Sequence, residues 1–365
     1  MNASETVLRA CELLRAFAEP GDILRVQELA DRTRLPKATT SRLLLTLESA
    51  GFVERVPKLG YRSLIRIQSR RRLRIGYASQ TEASLFAQEV TESIRRAAAS
   101  LDIDLIVYDN CYDPRLTRRN AEKMIEERVD VGIDFQTFEH VAQALASRFQ
   151  QARIPLVSVD LPTPGATYFG ADNYAAGRIA GRALGRWART NWRSDFEQVL
   201  LIELPAGGPQ LKTRMSGALA GLEEVLGGIA PERIHRLDGA NTFEGAHKAV
   251  RGHLKRHRRG RTLVLAMNDP NALGALDAFR GAGVMERCAV AGQGATLDAR
   301  RELRKPETQL IGSVAYFPER YGEALLQLAL DILKKKPVPP AVYTRHRLVT
   351  SMNVHRLYPK DPRVG

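Results

Sequence analysis

The sequence predicts an α/β protein preceded by a small helical unit, and three observations support this fold class. Apolar residues recur at helical spacing in three stretches before Gly51, and a hairpin pattern follows them. From Leu73 onward, short apolar runs alternate with longer amphipathic stretches, as parallel βαβ units require. The chain has 365 residues, of which 44% are hydrophobic, and a single core rarely grows that large. Two or three domains are therefore expected.

Positive charge is concentrated at the front of the chain. The formal net charge is +14, and Met1 to Arg74 contains 15 Lys or Arg against 8 Asp or Glu. The rest of the chain, about four times longer, carries the same excess of +7. Because electrostatic attraction to nucleic acid is local, the front of the chain is predicted to be the part that meets it.

No segment predicts export or membrane insertion. Charged residues interrupt the apolar pattern between Met1 and Glu19, whereas a secretory signal needs a continuous apolar stretch. Later runs fall short of the ~18 apolar residues of a membrane span. The three cysteines, Cys11, Cys111 and Cys288, are far apart and show no CxxC spacing. We therefore expect a cytoplasmic protein with no membrane partner.

Three helices are predicted in the first fifty residues. The first ends at Pro20-Gly21, the second runs from about Val26 to Arg34, and the third begins at Pro36. On a helical wheel, one side of the third helix is apolar and is expected to pack. That side carries Thr40, Leu43, Leu44, Leu47 and Ala50. The opposite side, free to meet a groove, carries Lys37, Ala38, Ser41, Arg42 and Leu45.

A two-stranded hairpin with a short basic turn follows, from Phe52 to Val56 and from Tyr61 to Ile65. Three helices and a hairpin form a winged helix-turn-helix. A helix of this kind fits the major groove, where Lys and Arg reach guanine acceptors and hydroxyls contact bases or phosphates. The predicted DNA contacts of the helix and the wing are Lys37, Ala38, Thr39, Ser41, Arg42, Lys58 and Arg62.

This unit resembles the IclR-type DNA-binding domain over roughly 60 residues. The matching stretches are Leu29-Ala30, Leu35 to Leu44, Thr46 to Glu48, and Ala50 to Val53. The resemblance implies binding to double-stranded operator DNA. The alternative is a small helical module that binds another protein, which the basic exposed face disfavours.

The segment from Ile65 to Arg74 is rich in arginine and predicts a linker. One interpretation is a solvated connector without contacts. The other is a hinge segment that lies along DNA phosphates when two subunits are held together. In that case the phosphate contacts are Arg70, Arg71 and Arg72.

The remaining residues predict a doubly wound architecture, whose ligands usually bind at the carboxyl ends of the strands. The predicted strands are Leu73 to Ala78, Asp104 to Tyr108, Val131 to Asp134, Leu156 to Val159, Val199 to Glu203, Thr262 to Ala266, Ala289 to Gly292 and Leu310 to Val314.

Two motifs in this part resemble the ribose-binding branch of the type I periplasmic binding proteins. They are Asp172 to Gly177, after a strand that ends at Asp160, and Met267 to Leu276. The similarity spans roughly Leu73 to Val354 and implies two doubly wound subdomains around a sugar-binding cleft. LacI-type repressors use the same fold as their effector domain, but they usually carry a different headpiece.

The resemblance also implies a set of ligand contacts. A sugar pocket needs carboxylates, amides and cations for the hydroxyls and an aromatic side chain for the ring face. Phe86 matches the stacking aromatic, Asp160 a hydroxyl-accepting aspartate and Asn268 a hydroxyl-binding asparagine. Lys212 lies where the family commonly has an arginine, and Tyr316 where the ribose binder has a glutamine. The full predicted set is Ser79, Gln80, Phe86, Asp160, Lys212, Asn268, Asp269, Gln293 and Tyr316.

Other interpretations of these residues remain open, and the sequence also departs from the family. Asp160 and Asp269 could cap helices, and Phe86 could serve ordinary helix packing. Gly292-Gln293-Gly294 replaces the family's glycine, apolar residue and aspartate, and Leu161 stands where an arginine often occurs. A ligand less polar than ribose, or differently substituted, is therefore expected.

The expected organisation is a winged helix-turn-helix at 1–66, a basic linker at 67–73, an effector domain at 74–355 and a tail at 356–365. The effector domain would divide into an N-subdomain (about 74–172 and 317–345) and a C-subdomain (about 173–316 and 346–355). The predicted function is a homodimeric transcription regulator whose affinity for operator DNA is controlled by a sugar or a related small molecule.

The sequence disfavours two other functional classes. A sugar-binding receptor for transport would need export. Catalysis would need a nucleophile with its base, or a metal cluster, and neither occurs at a recognisable spacing. Three histidines, His247, His253 and His257, lie close together in the sequence, but their neighbours are cationic, whereas a metal site would want Asp, Glu or Cys beside them. We therefore predict no enzyme activity, no cofactor and no metal site.

Overall fold

The computed structural model describes residues 4–17, 21–65, 72–205, 208–257 and 260–361. The chain divides into two compact units, Met1–Arg72 and Leu73–Gly365. The predicted fold class, a winged helix-turn-helix followed by a doubly wound α/β part, is confirmed. Arg70 and Arg71 lie outside the described residues.

The first unit contains three helices and a three-stranded antiparallel sheet. Its elements are α1 (Glu5–Arg15), β1 (Ile23–Leu24), α2 (Val26–Thr33), α3 (Lys37–Ser49), β2 (Val53–Val56) and β3 (Gly60–Ser63). Strands β2 and β3 form the predicted hairpin, and β1 pairs with the other edge of β3. Sequence patterns did not predict β1, because two residues are too few to show a period. Leu13, Leu29, Leu44 and Val53 are buried in the core of this unit.

The second unit alternates strands and helices. Its elements are β4 (Arg74–Ser79), α4 (Leu85–Ser100), β5 (Asp104–Asp109), α5 (Pro114–Glu126), β6 (Val131–Phe135), α6 (Glu139–Gln151), β7 (Leu156–Val159), β8 (Thr167–Gly170), α7 (Asn173–Trp192), β9 (Gln198–Glu203), α8 (Gly208–Leu226), β10 (Ile234–Asp238), α9 (Phe243–Leu254), β11 (Thr262–Ala266), α10 (Asp269–Gly281), β12 (Cys288–Gly294), α11 (Leu297–Leu303), β13 (Leu310–Ala315), α12 (Tyr321–Leu333), β14 (Ala341–Tyr343), β15 (Arg347–Val349) and α13 (Val354–Leu357).

These strands form two six-stranded sheets, each the centre of one lobe. The first lobe is built on the order β14-β8-β7-β6-β4-β5, and the second lobe on β10-β9-β11-β12-β13-β15. The pairings are parallel except that of β13 with β15. The eight predicted strands are present with ends shifted by at most two residues, whereas β8, β10, β14 and β15 were not predicted.

The chain passes between the lobes at three places. The first crossing lies between β8 and α7 at Asp172, the second after β13 at Tyr316, and the third between β14 and β15 at Thr344 to His346. In the described ranges, no helix is both long enough and apolar enough to cross a membrane.

Helices α7 and α8 pack with their backbones in contact. Both carry glycines at the contact: Gly177 and Gly181 in α7, and Gly217 and Gly221 in α8. A Cβ on any of the four would lie within 3.0 Å of a backbone atom of the other helix. Gly177, which belongs to the Asp172-to-Gly177 motif, faces the carbonyl of Arg214. The glycines therefore fix Arg214 against the start of α7.

Replacing Gly181 by alanine is expected to destabilise the second unit by roughly 1–3 kcal/mol or more, because a methyl group must push two backbones apart. Urea unfolding followed by tryptophan fluorescence measures this. Both tryptophans of the chain, Trp187 and Trp192, lie on α7 and report on this packing.

Gly252→Ala is the matched control for this prediction. Gly252 also lies inside a helix, α9, but a Cβ there meets no atom within 4 Å. Alanine should therefore stabilise the helix by about 0.5–1 kcal/mol. Equal effects of the two substitutions would contradict the close packing of α7 and α8.

Candidate functional site

The outward side of α3 carries the residues expected to meet DNA. Lys37, Ala38 and Arg42 are exposed, and Thr39 and Ser41 are partly exposed. The opposite side, with Thr40, Leu43, Leu44 and Leu47, is buried against the core of the first unit, whereas Ala50, also predicted to pack, is exposed at the end of the helix. The outward side therefore presents two exposed basic residues, Lys37 and Arg42, together with the exposed Leu45.

The wing presents one basic residue at its tip and a second one along its strand. Lys58 is exposed in the turn between β2 and β3, with a positive φ of 65°. Arg62 is exposed and forms an ion pair with Glu54, which lies opposite on β2. The charge of Arg62 is therefore partly compensated within the wing.

Of the three linker arginines predicted to contact phosphates, Arg72 is described by the structure, and it is exposed.

In the second unit, polar side chains collect at the carboxyl ends of strands from both lobes. In the first lobe, Ser79 ends β4, Asp134 is the last residue but one of β6, and Asp160 follows β7. Asn268 follows β11 of the second lobe, Gln293 lies near the end of β12, and Tyr316 follows β13. This edge is where doubly wound sheets bind their ligands. We call the space between these two edges the cleft.

Asp160 is held rigidly at the edge of the cleft. Its φ is 57°, its N–H donates to Phe169 O at 2.9 Å, and its carboxylate accepts the N–H of Ala171 at 3.1 Å. Burial raises its pKa to about 6, although the Ala171 N–H and the Arg214 guanidinium favour the charged form. Asp160 thus makes a bond with the turn after β8 and caps no helix.

Arg214, which the sequence analysis did not select, reaches the centre of the second lobe. It donates through Nε and Nη2 to Asn173 Oδ1 at 2.9 and 2.7 Å, and through Nη1 to Met267 O at 2.9 Å. Its guanidinium lies 5.0 Å from the ring centroid of Tyr316. Arg214 therefore joins α7, the loop after β11 and the second crossing.

Phe86, Gln293 and Arg214 each contact Tyr316, and we call these four residues the cluster around Tyr316. The hydroxyl of Tyr316 donates to Gln293 Oε1 at 2.5 Å, and the two residues are almost wholly buried. No described residue offers a hydrogen-bond partner to Gln293 Nε2. Phe86 contacts Tyr316, Phe135 and Tyr321 edge to face, with centroids 5.9–6.4 Å apart, and packs against the cores of both lobes.

Asn268 and Asp269 take part in bonds at the start of α10. Asn268 caps this helix by accepting the N–H of Asn271 at 2.9 Å, and its amide donates to Asn241 Oδ1 at 2.5 Å. Asp269 is fully buried and accepts from Ser313 Oγ at 2.5 Å and from the N–H of Thr296 at 2.6 Å. The carboxylate of Asp269 therefore ties the loop after β12 to α10.

Three other predicted ligand contacts, Lys212, Ser79 and Gln80, have contacts with residues outside the cluster around Tyr316. Lys212 is exposed on α8 and lines a cavity of about 230 Å³ together with Glu203 and Arg236. Ser79 is fully buried, and its hydroxyl accepts from Thr91 at 3.4 Å. Gln80 Oε1 accepts the hydroxyl of Tyr112 at 3.0 Å.

Asp134 is a second cleft residue that the sequence analysis did not select. It is the last residue but one of the fully buried strand β6, and burial raises its pKa to about 7. Its nearest polar partner is the amide of Asn110 at 3.4 Å, which only weakly favours the charged form. Its signal in the sequence was its position, since Asp134 is a carboxylate near the carboxyl end of an apolar strand.

The histidines of the second lobe cluster without forming a metal site. His253 stacks on His257 with ring centroids 4.5 Å apart, and His235 packs beside both. His247 pairs with Asp277 at 3.0 Å. In the part of the chain that the structure describes, no three His, Cys, Asp or Glu side chains are placed to hold a metal ion.

Comparisons with known proteins match the two units separately. A family model described as periplasmic binding protein domain matches residues 75–337, and one described as IclR helix-turn-helix domain matches residues 6–57. The transcriptional repressor IclR of Escherichia coli is 39% identical over 57 residues, which cover 16% of this chain and 21% of the repressor.

The larger unit has curated and solved relatives along most of its length. The ribose import binding protein of Salmonella typhimurium is 23% identical over 262 residues, covering 69% of this chain and 82% of that protein. A periplasmic solute binding protein of Actinobacillus succinogenes, solved with bound D-allose, has a TM-score of 0.68 at 20% identity, covering 78% of this chain and 99% of that one. The chain therefore belongs to the periplasmic binding protein domain family and carries an IclR helix-turn-helix domain ahead of that domain.

Proposed function

We propose that this protein is a cytoplasmic, homodimeric transcription regulator, without catalytic activity, whose affinity for operator DNA depends on a sugar or a related small molecule in the cleft. The observation that carries the proposal is that one chain combines an exposed basic α3 with polar groups, among them Asp160 and Gln293, at the strand ends on either side of the cleft. A receptor for transport would have no use for the first of these.

The chemistry of the cleft supports a polyhydroxyl ligand. Asp160 and Asp134 are carboxyl groups that burial leaves under-compensated, so hydroxyl donors would stabilise their charged forms. Gln293 Nε2 is a buried donor that can be satisfied by a ligand oxygen. Phe86, which is partly buried between the cores of both lobes, is the aromatic side chain that would stack on a sugar ring, and the named relatives bind ribose and D-allose.

Ligand control would arise because the cleft residues come from both lobes. Closure on a ligand would change the arrangement of the lobes and, in a dimer, the separation of the two α3 helices. Ligand and DNA affinities would then be coupled reciprocally, typically by about 1–3 kcal/mol. The direct test is a DNA titration of the full-length protein, with a selected operator, in the presence of pentoses and hexoses that include D-ribose and D-allose.

Arg42→Ala should weaken specific DNA binding by about 1–3 kcal/mol, because Arg42 lies exposed on the outward side of α3 and can reach guanine acceptors. Fluorescence anisotropy with the operator and with an unrelated duplex measures this. Arg118→Ala removes another exposed helical arginine, from the second unit, and should leave the affinity for DNA unchanged. Equal DNA affinity of the two variants would exclude α3 as the reading helix.

Asp160→Asn should abolish the sugar response at the sugar concentration that suffices for the wild type, while leaving DNA binding intact. The loss in sugar affinity should be roughly 1.5–3 kcal/mol, the usual worth of a hydrogen bond to a charged group. Isothermal titration with the sugar found active in the wild type measures it, and anisotropy measures the DNA response. A variant that still responds at the wild-type sugar concentration would remove Asp160 from the binding site.

The same substitution should stabilise the ligand-free second unit above pH 6. The pKa of Asp160 is about 6 in the folded state, against ~3.9 in an unfolded chain. The stability tied to protonated Asp160 is therefore present below pH ~4 and is lost as the pH rises through 6. The advantage of Asp160→Asn should grow from near zero at pH ~4 to at most ~3 kcal/mol at pH 8.

Urea unfolding of the wild type and the variant at both pH values checks this expectation. Asp298→Asn, which alters an exposed carboxylate on α11, serves as the control and should show no such growth. An advantage of Asp160→Asn that is the same at both pH values would show that Asp160 carries no burial cost.

A further inference from the structure

One side chain, His346, contacts all three crossings between the lobes. It lies in the third crossing, between β14 and β15. Its Nε2 accepts the N–H of Asp172, in the first crossing, at 3.0 Å. Its ring packs edge to face on Tyr316, in the second crossing, with centroids 5.0 Å apart and an interplanar angle of 73°.

The hydrogen bond from Asp172 fixes the protonation state of the ring. A neutral imidazole has one accepting nitrogen and one N–H, so Nε2 can accept only while the proton is on Nδ1. A second proton would occupy Nε2 and face the N–H of Asp172. The bond between the first and third crossings therefore exists only while His346 is neutral.

Charged groups from each element around His346 act on this equilibrium. Burial of the ring has the largest influence and holds the pKa of His346 below its ordinary value; the carboxylate of Asp172 raises the pKa, the guanidinium of Arg214 lowers it, and the carbonyl of Ala315 raises it. Arg345 and Arg347 flank the ring in sequence and are exposed. The carboxylate of Asp172 also accepts the N–H of Ala175 at 2.9 Å as the cap of α7.

A displacement of the His346 ring would be transmitted to the cleft residues through its contact with Tyr316. The Tyr316 ring contacts Phe86 of the first lobe and the guanidinium of Arg214, and its hydroxyl holds Gln293. A change at the third crossing is therefore one contact away from the cluster of cleft residues.

We propose that His346 is a positioning residue of the hinge, which, while neutral, holds the three crossings in one arrangement and thereby sets the resting angle between the lobes. Protonation breaks its bond to Asp172 and places a second cation near Arg214, so the lobes sample a wider range of angles. The inference goes beyond the regulatory function and does not depend on the ligand.

The test measures the distance between the lobes in the ligand-free, full-length protein. A Cys11→Ser background carries one nitroxide on the exposed native Cys111 of the first lobe and a second on Glu244→Cys, exposed at the start of α9 in the second lobe. Cys288 is fully buried. Pulsed electron paramagnetic resonance then gives distance distributions between pH 5 and pH 8.

The wild-type distribution should be narrow at pH 8 and broaden only at a pH below ~6.5, the ordinary pKa of histidine, because burial lowers the pKa of His346. His346→Gln should remain narrow at every pH, because its amide oxygen can accept the Asp172 N–H without titrating. His346→Ala should be broad at every pH. Thermal melts by circular dichroism establish that each variant is folded.

Two results would overturn the proposal. One is a pH-dependent broadening that persists in His346→Gln, which would assign the effect to Asp134 or Asp160. The other is a narrow distribution at pH 8 in a folded His346→Ala. If the alanine variant does not fold, the comparison of wild type with His346→Gln decides alone. Neither DNA nor sugar is present, so failure here is distinguishable from failure of the regulatory proposal.

Discussion

The three passages of the chain between the lobes constrain the rest of the larger unit. Strand β14 completes the first sheet and β15 completes the second, although both follow α12. Neither sheet can therefore acquire all its strands before the C-terminal part of the chain is in place. His346 contacts both Asp172 and Tyr316, so the connection between the lobes includes direct contacts between the crossings as well as three covalent links.

Two buried carboxyl groups at the cleft lower the stability of the ligand-free protein. Asp134 and Asp160 lie at neighbouring strand ends of one lobe, and burial raises the pKa of both. A fold shaped by stability alone would not retain two such carboxyl groups, and perturbed pKa values concentrate at functional sites. Arg214 offsets only part of the cost at Asp160, because three of its N–H groups are already bonded to Asn173 and Met267. The remaining deficit is one that a ligand rich in hydroxyl groups would relieve.

The fold could be predicted from the sequence wherever one physical signal dominated. The three helices of the first unit and the eight strands with continuous apolar runs were predicted because burial on one or both faces fixes their period. Strand β10 was missed because it is a sheet edge with polar residues such as His235 and Arg236, and β14 and β15 because they have three residues each.

The site was harder to predict because sequence position does not give the direction of a side chain. Lys212 and Arg214 are two residues apart on α8 and cannot face the same way. The glycine contact between α7 and α8 decides that Arg214 points to the first turn of α7. The motif containing Asn268 suits a helix cap as well as a sugar hydroxyl. No sequence pattern marks His346, whose partners lie 174 positions earlier in the chain and at Tyr316.

Motion in this unit must be located at the crossings, because the elements beside them are too tightly packed to deform. The backbones of α7 and α8 touch at four glycines, and Arg214 binds Asn173 in the first turn of α7, so the two helices move as one body. Asp172 is the last residue before that body, and it both caps α7 and bonds His346. Closely packed bodies change arrangement by discrete shifts at their junctions. A ligand that draws Asp160 toward the second lobe therefore acts on the same few bonds that set the resting angle.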